Sequence, residues 1–231
     1  MRIEVLPDEG AVAARAAGWI ASAAREAVAA RGRFALAVSG GRTPWRMLEA
    51  LAREDVPWGS VHVFQVDERV APLGHPDRNL THVVASLGGA ALPPGNLHAM
   101  PVEETDLGEA VRRYQRELES ACGAPAVLDA VHLGLGADGH TASLVPGDPA
   151  LEVDGADVAT TGLYAGRTRM TLTYPVLDRA RAVLWVVTGS EKAPALQRLL
   201  ARDRAIPAGR VRADRALVLA DRAAAPGVGW A

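Results

Sequence analysis

The stretch that most constrains the fold of this chain lies between residues 126 and 147. Residues 126–135 are apolar except for Asp129 and His132, and so continuous an apolar run is typical of a strand that is buried on both faces of a parallel sheet. The run then opens into several glycines and a cluster of polar residues, namely Asp138, His140, Thr141 and Ser143. Because ligands of open α/β sheets bind beyond the carboxyl ends of the strands, we expect this cluster to lie in a ligand site.

Three interpretations of the loop stay open on the residues alone. Residues 134–139 fit the dinucleotide fingerprint G-x-G-x-x-G, although that motif requires a following helix, and Pro146 and Pro149 interrupt the segment that would form it. The same residues are compatible with a simple glycine turn that carries a solvated histidine and aspartate. In the third interpretation the loop is catalytic: His140 transfers protons and Asp138 lies beside it, because histidine is the residue type that ionises near neutral pH.

Length and composition narrow the class of protein. The chain has 231 residues, which is enough for one large domain, and we expect residues 1–231 to form it. The net charge is −2 and no basic run exceeds two residues, so we predict no nucleic-acid partner. Cys122 is the single cysteine, which excludes an internal disulfide and indicates a reducing compartment. The first ten residues lack the apolar segment of a signal peptide, and no apolar run approaches the length of a membrane span. We therefore predict a cytoplasmic protein without membrane contact.

Strand-like and helix-like patterns alternate along nearly the whole chain. The predicted strands are at residues 2–6, 34–38, 61–66, 96–99, 126–135, 182–187 and 217–219. Helices are predicted between them, including segments at 79–87, 105–121 and a closing turn at 220–225. Asp8 is placed to cap the first helix and Gly32 to end it. This alternation predicts an α/β fold: a single domain with a mostly parallel twisted sheet and helices on both faces, Rossmann-like in architecture.

One segment departs from this regular alternation. Residues 147–168 are rich in Gly, Asp and Thr and weakly patterned. We predict a surface segment there, with one short strand near Val158.

A glycine loop follows the predicted strand at 34–38. Residues 39–44 read SGGRTP, and in this segment Thr43 is a good N-cap and Pro44 a good first residue of a helix. A strand, a Gly-Gly turn and a capped helix together direct free backbone N–H groups and the positive end of a helix dipole at an anion. A tight turn without any ligand fits the residues equally well.

Two further strand ends carry charged residues. The strand at 61–66 is followed by the triplet DER, which fits either a ligand site or a solvated turn. The strand at 182–187 leads into a helix that Ser190 is placed to cap, and Lys192 lies in its first turn. A cation there is electrostatically unfavourable, and Lys192 is the only lysine among 25 basic residues. An anion shared by Lys192 and the helix end explains this placement better than a solvated lysine.

The central loop resembles the signature of the 6-phosphogluconolactonase family. Residues 134–147 read GLGADGHTASLVPG, which is similar to the D-G-H loop of that family. The related glucosamine-6-phosphate isomerases also carry D-G-H but typically continue with I-A-F-N-E-P, whereas residues 141–146 read TASLVP here. The loop is therefore more similar to the lactonases than to the isomerases.

Four shorter motifs strengthen the resemblance. SGGRTP at 39–44 is similar to the family's phosphate-holding loop, and DER at 67–69 matches the lactonase pattern where the isomerases usually have D-E-Y. RMTLTYPVLD at 169–178 resembles R-x-T-L-T-x-P-x-L-N, and TGSEK at 188–192 fits T-G-x-x-K. Together with the central loop, these motifs follow one another in order, and the resemblance extends over most of the chain.

The resemblance implies a function and a site. It implies hydrolysis of 6-phospho-D-glucono-1,5-lactone to 6-phospho-D-gluconate in the oxidative pentose phosphate pathway, with this small molecule as partner and no cofactor. The sequence shows no His, Cys and carboxylate residues grouped at metal-ligand spacing, so we expect no metal. The implied catalytic residues are His140 as general base for water, Asp138 as either its orienting group or the cap of the turn, and Asp67, to which no particular role is assigned. The implied ligands of the phosphate or of developing negative charge are Gly40, Gly41, Arg42, Thr43, Arg69, Arg169 and Lys192.

Two departures from the family and two alternative functions accompany this implication. Arg78 replaces the usual Ser and Asp178 the usual Asn. An amino-sugar-phosphate isomerase would use the same fold, but Arg69 and residues 141–146 argue against it. A non-enzymatic sugar-phosphate sensor is the rival from another class; such sensors usually carry a DNA-binding segment first, whereas the first strand is predicted to begin here at Arg2. Either a monomer or a small homo-oligomer fits the sequence.

Overall fold

The structure of the chain is a computed structural model, which describes residues 1–227. The helices are α1 (Glu9–Arg31), α2 (Arg42–Leu51), α3 (Asn79–Ser86), α4 (Leu107–Cys122), α5 (Tyr174–Arg179), α6 (Ala193–Leu200) and α7 (Pro207–Arg210). The strands are β1 (Arg2–Leu6), β2 (Phe34–Val38), β3 (Val61–Gln65), β4 (Asp67–Arg69), β5 (Leu97–His98), β6 (Ala130–Leu133), β7 (Val158–Thr160), β8 (Arg169–Leu172), β9 (Val183–Val187) and β10 (Ala216–Asp221). The last four residues of the domain predicted at 1–231 lie outside this description, and the single-domain assignment stays a prediction.

Seven of the strands form one sheet, in the order β1-β10-β9-β6-β2-β3-β5. All neighbouring strands in it run parallel. The chain proceeds outward from β2 through β3 to β5, and in the other direction from β6 through β9 and β10. The predicted α/β class with a mostly parallel sheet is therefore confirmed, and the direction of winding reverses between β2 and β6.

Helices cover both faces of the sheet. Successive strand residues point to opposite faces, so each strand contributes side chains to the core on either side. On β2, the side chains of Phe34, Leu36 and Val38 pack in a core with α1, α2 and α3. The intervening Ala35 and Ala37 belong to a second core, which contains apolar residues of α4, α5, α6 and α7. Each strand buried in this way is apolar on both faces, which is why the strands read as continuous apolar runs.

The remaining three strands form a small antiparallel sheet in the order β4-β8-β7. Its apolar side chains, Val158, Met170 and Leu172, join the same core as α4 to α7. The short strand predicted near Val158 is confirmed as β7. The sequence did not indicate that residues 67–69 and 169–172 form strands. They pair with each other across about a hundred residues of chain, and a pairing so distant leaves no local pattern.

The ends of the helices agree with prediction at α1 but not at α2 or α6. Asp8 caps α1 by accepting a hydrogen bond from the N–H of Ala11, and Gly32 ends it with a φ of 75°. The prediction of Thr43 as the N-cap of α2 is wrong. Gly41, with a φ of 128°, takes that position, and the Thr43 hydroxyl is instead engaged by other side chains. The prediction for Ser190 is also wrong, because this residue begins a 3₁₀ turn that precedes α6 and makes no side-chain cap.

The last predicted turn is shorter than expected. Residues 220 and 221 belong to β10, and the turn begins only after them. It is held by Asp221, whose carboxylate accepts a hydrogen bond from the N–H of Ala224 and whose carbonyl accepts one from the N–H of Ala225. Among residues 1–227, no helix is both long and apolar enough to cross a membrane.

Candidate active site

A cavity of about 440 Å³ opens at the carboxyl edge of the large sheet. It lies where β2 and β6 adjoin, at the point where the direction of winding reverses, which is the general ligand-binding position of open α/β sheets. Four adjacent strands, β9, β6, β2 and β3, lead into the segments around it. Nine of the ten predicted site residues line it, namely Gly40, Gly41, Arg42, Thr43, Asp67, Arg69, His140, Arg169 and Lys192. The tenth, Asp138, does not line the cavity but is hydrogen-bonded to His140.

The glycine loop after β2 presents backbone N–H groups to the cavity. A side chain at residue 40 would overlap the amide group of Asn79, and Gly41 adopts a positive φ that other residues rarely adopt. The N–H groups of Gly41, Arg42 and Thr43 have no acceptor within residues 1–227. Free N–H groups at the start of a ten-residue helix form a favourable anion site.

The Thr43 hydroxyl does not point freely toward a ligand. It lies 2.9 Å from Glu9 Oε1 and 2.7 Å from the hydroxyl of Thr188. This network ties the start of α2 to α1 and to the end of β9. The backbone of Thr43 and its neighbours, more than its side chain, is therefore available for anion binding.

Two cations on this side of the cavity have no partner among residues 1–227. Neither the Arg42 guanidinium nor the Lys192 ammonium makes a hydrogen bond or ion pair with any other part of the described chain. Lys192 occupies the N-cap position of α6, where the helix dipole opposes a positive charge. An anionic ligand would compensate both cations at once.

His140 and Asp138 form a hydrogen-bonded pair at the end of β6. The Nδ1 atom of His140 lies 2.6 Å from Asp138 Oδ1, and the same oxygen accepts the N–H of His140 at 3.1 Å. We assign the proton to Nδ1, because the carboxylate can only accept it; Nε2 then has a free lone pair and no partner among residues 1–227. Burial acts to raise the pKa of the Asp138 carboxyl, but the hydrogen bonds from His140 and from Tyr164 outweigh it and the pKa lies below its ordinary value.

The glycines of this loop serve packing. A side chain at Gly136 would overlap the ring of His140, and one at Gly139 would overlap Ile206. No helix follows them; instead residues 141–144 form a tight turn in which Ala142 has a φ of 53°. The dinucleotide interpretation of these glycines is therefore wrong. The spacing that resembled a fingerprint instead lets the main chain pass close to the imidazole.

On the opposite wall, a buried carboxylate lies between two arginines. Asp67 Oδ2 accepts a hydrogen bond from the Ser143 hydroxyl at 2.7 Å, and Arg169 donates to the same hydroxyl at 3.4 Å. Arg69 of β4 lies directly opposite Arg169 of β8 in the register of the small antiparallel sheet. Burial raises the pKa of the Asp67 carboxyl, against the opposing effects of the Ser143 hydrogen bond and of the two arginines.

The two arginines also have unused hydrogen-bond donors. The Nε atoms of Arg69 and Arg169 are buried and have no partner in the part of the chain that the structure describes. Burial and the neighbouring charge of Arg69 lower the pKa of Arg169. A ligand oxygen between these side chains would supply the missing acceptor, since buried donors without partners are costly.

The two departures from the family pattern have structural roles. Arg78 is fully buried and forms ion pairs with Glu68 at 3.0 Å and Glu103 at 2.5 Å. Glu68 in turn accepts hydrogen bonds from the first N–H groups of α3, at Asn79 and Leu80. Arg78 therefore neutralises a buried helix cap. Asp178 accepts a hydrogen bond from the N–H of Arg212 at 2.7 Å, far along the chain from the glycine loop.

Several residues at or beside the cavity had no role assigned from the sequence. The polar ones that line it are Glu9, Ser39, Asn79, Thr188, Glu191 and Asp221, and Ser143 and Tyr164 contact its predicted residues. Ser143 belongs to the polar cluster of the central loop, which was expected to lie in a ligand site. Tyr164 lies in the weakly patterned segment and had no such signal. Within residues 1–227, no group of three or more His, Cys, Asp or Glu side chains is arranged to hold a metal ion.

Comparison with known proteins agrees with the fold and the motifs. Residues 7–219 match the family model described as glucosamine-6-phosphate isomerases/6-phosphogluconolactonase. A 6-phosphogluconolactonase of Nostoc sp. is 40% identical over 204 residues, which cover 86% of this chain and 85% of that protein. The similarity therefore extends along nearly the full length of both chains.

Solved structures support the same relationship. A crystal structure of a 6-phosphogluconolactonase from Thermotoga maritima superposes with a TM-score of 0.84 at 29% identity, and the match covers 95% of this chain and 98% of that one. A monomeric glucosamine-6-phosphate deaminase gives the same TM-score at 18% identity over 97% and 98% of the two chains, which shows a shared fold alone. The family match over more than 200 residues and the close relatives lead to one conclusion. The chain belongs to the glucosamine-6-phosphate isomerase/6-phosphogluconolactonase family.

Proposed function

We propose that this chain is a 6-phosphogluconolactonase: it hydrolyses 6-phospho-D-glucono-1,5-lactone to 6-phospho-D-gluconate in the oxidative pentose phosphate pathway. The observation that carries the proposal is the pairing of His140 with Asp138 at a cavity that also holds unpaired cations. The imidazole has a free Nε2 on one side and a carboxylate on Nδ1 on the other. A lactonase needs a base for water, donors for an oxyanion and a grip on phosphate, and this cavity offers a residue for each.

The base is His140. Its Nε2 accepts a proton from water as the water oxygen attacks the lactone carbonyl, and Asp138 stabilises the imidazolium that forms and holds its orientation. When the tetrahedral intermediate collapses, the bond from carbon to the ring oxygen breaks. The imidazolium returns the proton to that oxygen, which leaves as a hydroxyl group. The histidine is regenerated and one water has been added across the ester bond.

The arginines of the small sheet, Arg69 and Arg169, stabilise the developing oxyanion. Arg69 and Arg169 carry buried Nε donors that lack partners in the described chain, and donors that are already fixed in place stabilise a transition-state charge at little reorganisation cost. Asp67 accepts the Ser143 hydroxyl and lies between these cations. We assign Asp67 the role of holding the two arginines near each other, against their mutual repulsion.

The phosphate binds on the opposite side of the cavity. Free N–H groups at Gly41, Arg42 and Thr43, together with the ammonium of Lys192, provide donors and positive charge around one volume. Phosphate binding at a helix N-terminus supplied with cations is a recurring arrangement. Separate binding sites for the phosphate and for the carbonyl would fix the position of the substrate in the cavity, so that the water activated by His140 lies beside the reacting carbon.

The proposal includes the setting of the enzyme. We propose that it acts in the cytoplasm, as a monomer or small homo-oligomer, on a small-molecule sugar phosphate and without a nucleic-acid partner. The net charge of −2 supports the absence of a nucleic-acid partner, and the single free cysteine, Cys122, supports a reducing compartment such as the cytoplasm.

The test is a kinetic assay with the lactone generated in situ from glucose 6-phosphate by its dehydrogenase. Hydrolysis faster than the spontaneous rate at the same pH supports the proposal. Glucosamine 6-phosphate serves as the control substrate for isomerase or deaminase activity. Turnover of glucosamine 6-phosphate with no acceleration of lactone hydrolysis would overturn the proposal.

The role of His140 is tested by substitution. His140→Asn should lower kcat by roughly 10²–10⁴-fold, because the amide cannot accept a proton from water. The variant should fold normally. His82→Asn is the matched control, since His82 lies on α3 against Trp45 and outside the cavity. Near-normal kcat in His140→Asn would refute its role as the base.

A further inference from the structure

Tyr164 lies just outside the cavity lining, yet it contacts three of the residues that serve the site. Its hydroxyl donates to Asp138 Oδ2 at 3.3 Å. Its ring meets the His140 ring edge to face, with 5.5 Å between the centroids. The guanidinium of Arg169 lies 4.9 Å from the centre of the same ring. One side chain therefore touches the carboxylate, the imidazole and one of the arginines.

The backbone around Tyr164 is built to hold that side chain in place. Ala165 and Gly166 both have positive φ angles, of 50° and 79°, which is the conformation of a tight two-residue hairpin turn. Tyr164 and Arg167 close the turn by exchanging backbone hydrogen bonds of 3.0 and 3.2 Å. This turn fixes the backbone position from which the Tyr164 side chain extends, although the surrounding sequence is weakly patterned.

A salt bridge secures the hairpin from the other side. Arg167 donates to Asp77 at 2.8 Å through Nε and lies 2.7 Å from the same oxygen through Nη2. The carbonyl of Asp77 accepts a hydrogen bond from Arg69. The hairpin that carries Tyr164 is thus connected to both arginines of the small sheet, to Arg169 through the ring and to Arg69 through Asp77.

We propose that Tyr164 is a positioning residue for lactone hydrolysis, which holds the Asp138–His140 pair and Arg169 in one fixed arrangement. The inference rests on the function proposed above. Asp138 has two oxygens, one of which orients His140 while the other is held by Tyr164. Without the hydroxyl, the carboxylate is free to rotate and the imidazole loses its fixed direction. Without the ring, Arg169 also loses the surface on which it rests.

The two halves of the side chain therefore have separable effects. Tyr164→Phe removes one hydrogen bond to a charged group and keeps the ring, so kcat should fall by about tenfold while KM changes by less than about twofold. Tyr164→Leu removes the ring as well, so KM should also rise, because Arg169 lines the cavity. In the Phe variant the Asp138 carboxyl loses a hydrogen-bond donor, so it becomes more basic and holds the Nδ1 proton of His140 more strongly. Protonated His140 is then better stabilised, and kcat should start to decline at a higher pH than in the wild type.

Tyr174→Phe provides a matched control. Tyr174 also lies under an arginine, Arg210, at 4.8 Å, and its hydroxyl also donates a hydrogen bond, to the carbonyl of Pro207 at 3.0 Å. It does not line the cavity. The control variant should keep the kcat, KM and pH profile of the wild type, since it undergoes the same chemical change at a site remote from the reaction.

A double-mutant cycle with Asp138→Ala tests whether Tyr164 acts through the carboxylate. If it does, Tyr164→Phe should lower kcat much less in the Asp138→Ala background than in the wild type. Additive losses, unchanged kcat in Tyr164→Phe, or an equal loss in Tyr174→Phe would each overturn the proposal. These outcomes are read only against a wild-type enzyme that accelerates lactone hydrolysis, so a failure of the proposed function is recognised separately, by an inactive wild type.

Discussion

Replacing His132 with Asn should make the protein markedly less sensitive to acid. His132 lies on β6 and is fully buried. Its Nδ1 accepts a hydrogen bond from the N–H of Ser39 at 3.3 Å, and its Nε2 has no partner within residues 1–227. If Nδ1 were protonated, it could no longer accept this hydrogen bond, and its N–H would point at the N–H of Ser39. Burial lowers the pKa of this histidine from its ordinary value of 6.5 to about 3.

The sign of the effect follows from proton linkage. The unfolded chain binds a proton at residue 132 as the pH falls below 6.5, whereas the folded protein does not until about pH 3. The unfolded state is therefore favoured by acid throughout this window, and stability contributed by the neutral histidine is lost as the pH falls. Each pH unit corresponds to about 1.4 kcal/mol. Between pH 7 and pH 4.5 the expected loss from this residue is about 3 kcal/mol.

The assay is urea unfolding of the wild type and of His132→Asn at pH 7 and pH 4.5. The Asn side chain keeps an oxygen acceptor for Ser39, and the smaller volume costs stability equally at both pH values. Other acid-sensitive groups, including His98 with a pKa of about 4, contribute to both proteins and cancel in the comparison. The wild type should lose about 3 kcal/mol more than the variant between the two pH values. Equal losses would show that His132 is not held neutral by the fold.

Two other predictions concern the cavity. Lys192→Ala should raise KM for the phosphorylated lactone about tenfold with little change in kcat, because it removes binding common to the ground and transition states; an unphosphorylated gluconolactone should be much less affected, and equal losses on both substrates would contradict the assignment. Asp67→Asn should lower kcat, because Arg69 and Arg169 lose the carboxylate that holds them near each other; it should nevertheless unfold at the same or a higher temperature at pH 7, because the cost of burying the carboxylate outweighs its attraction to the two arginines and raises its pKa. The gap in thermal stability should narrow as the pH is lowered and the wild-type carboxyl takes up a proton; a less stable variant at pH 7 would show that the charge itself stabilises the fold.

The large sheet was predictable because its information is local. Each strand buried on both faces forms an apolar run, and the groups at its carboxyl end follow directly in sequence. His140, Lys192 and the glycine loop could therefore be assigned to one edge before any contact was known. Helix ends were less certain, because a tertiary contact can override a local preference: the Thr43 hydroxyl bonds to Glu9 and Thr188 in place of capping its own helix.

The small sheet and its contacts were not predictable in the same way. Its strands are three or four residues long, and β4 pairs with β8 across about a hundred residues of chain, so no local pattern marks that pairing. Only β7, the strand near Val158, was expected from the sequence. Tyr164 lies in a stretch whose composition suggested only a surface loop. The arginine at position 78 had no signal for burial either, since its charge is neutralised by Glu68 and Glu103, which are distant from it in the chain.

The strand β4 shows how three residues can organise several parts of the site at once. Alternate residues of a strand face opposite sides: Asp67 and Arg69 face the cavity, whereas Glu68 faces away and binds the first N–H groups of α3. The first residue of that helix, Asn79, donates to the carbonyl of Asp67 and fills the space that a side chain at Gly40 would need. The strand β4, the helix α3 and the glycine loop at residues 39–44 therefore interlock through Glu68 and Asn79. If the proposed function is correct, a change at either residue should weaken both the binding of phosphate and the stabilisation of the oxyanion, even though Glu68 does not line the cavity.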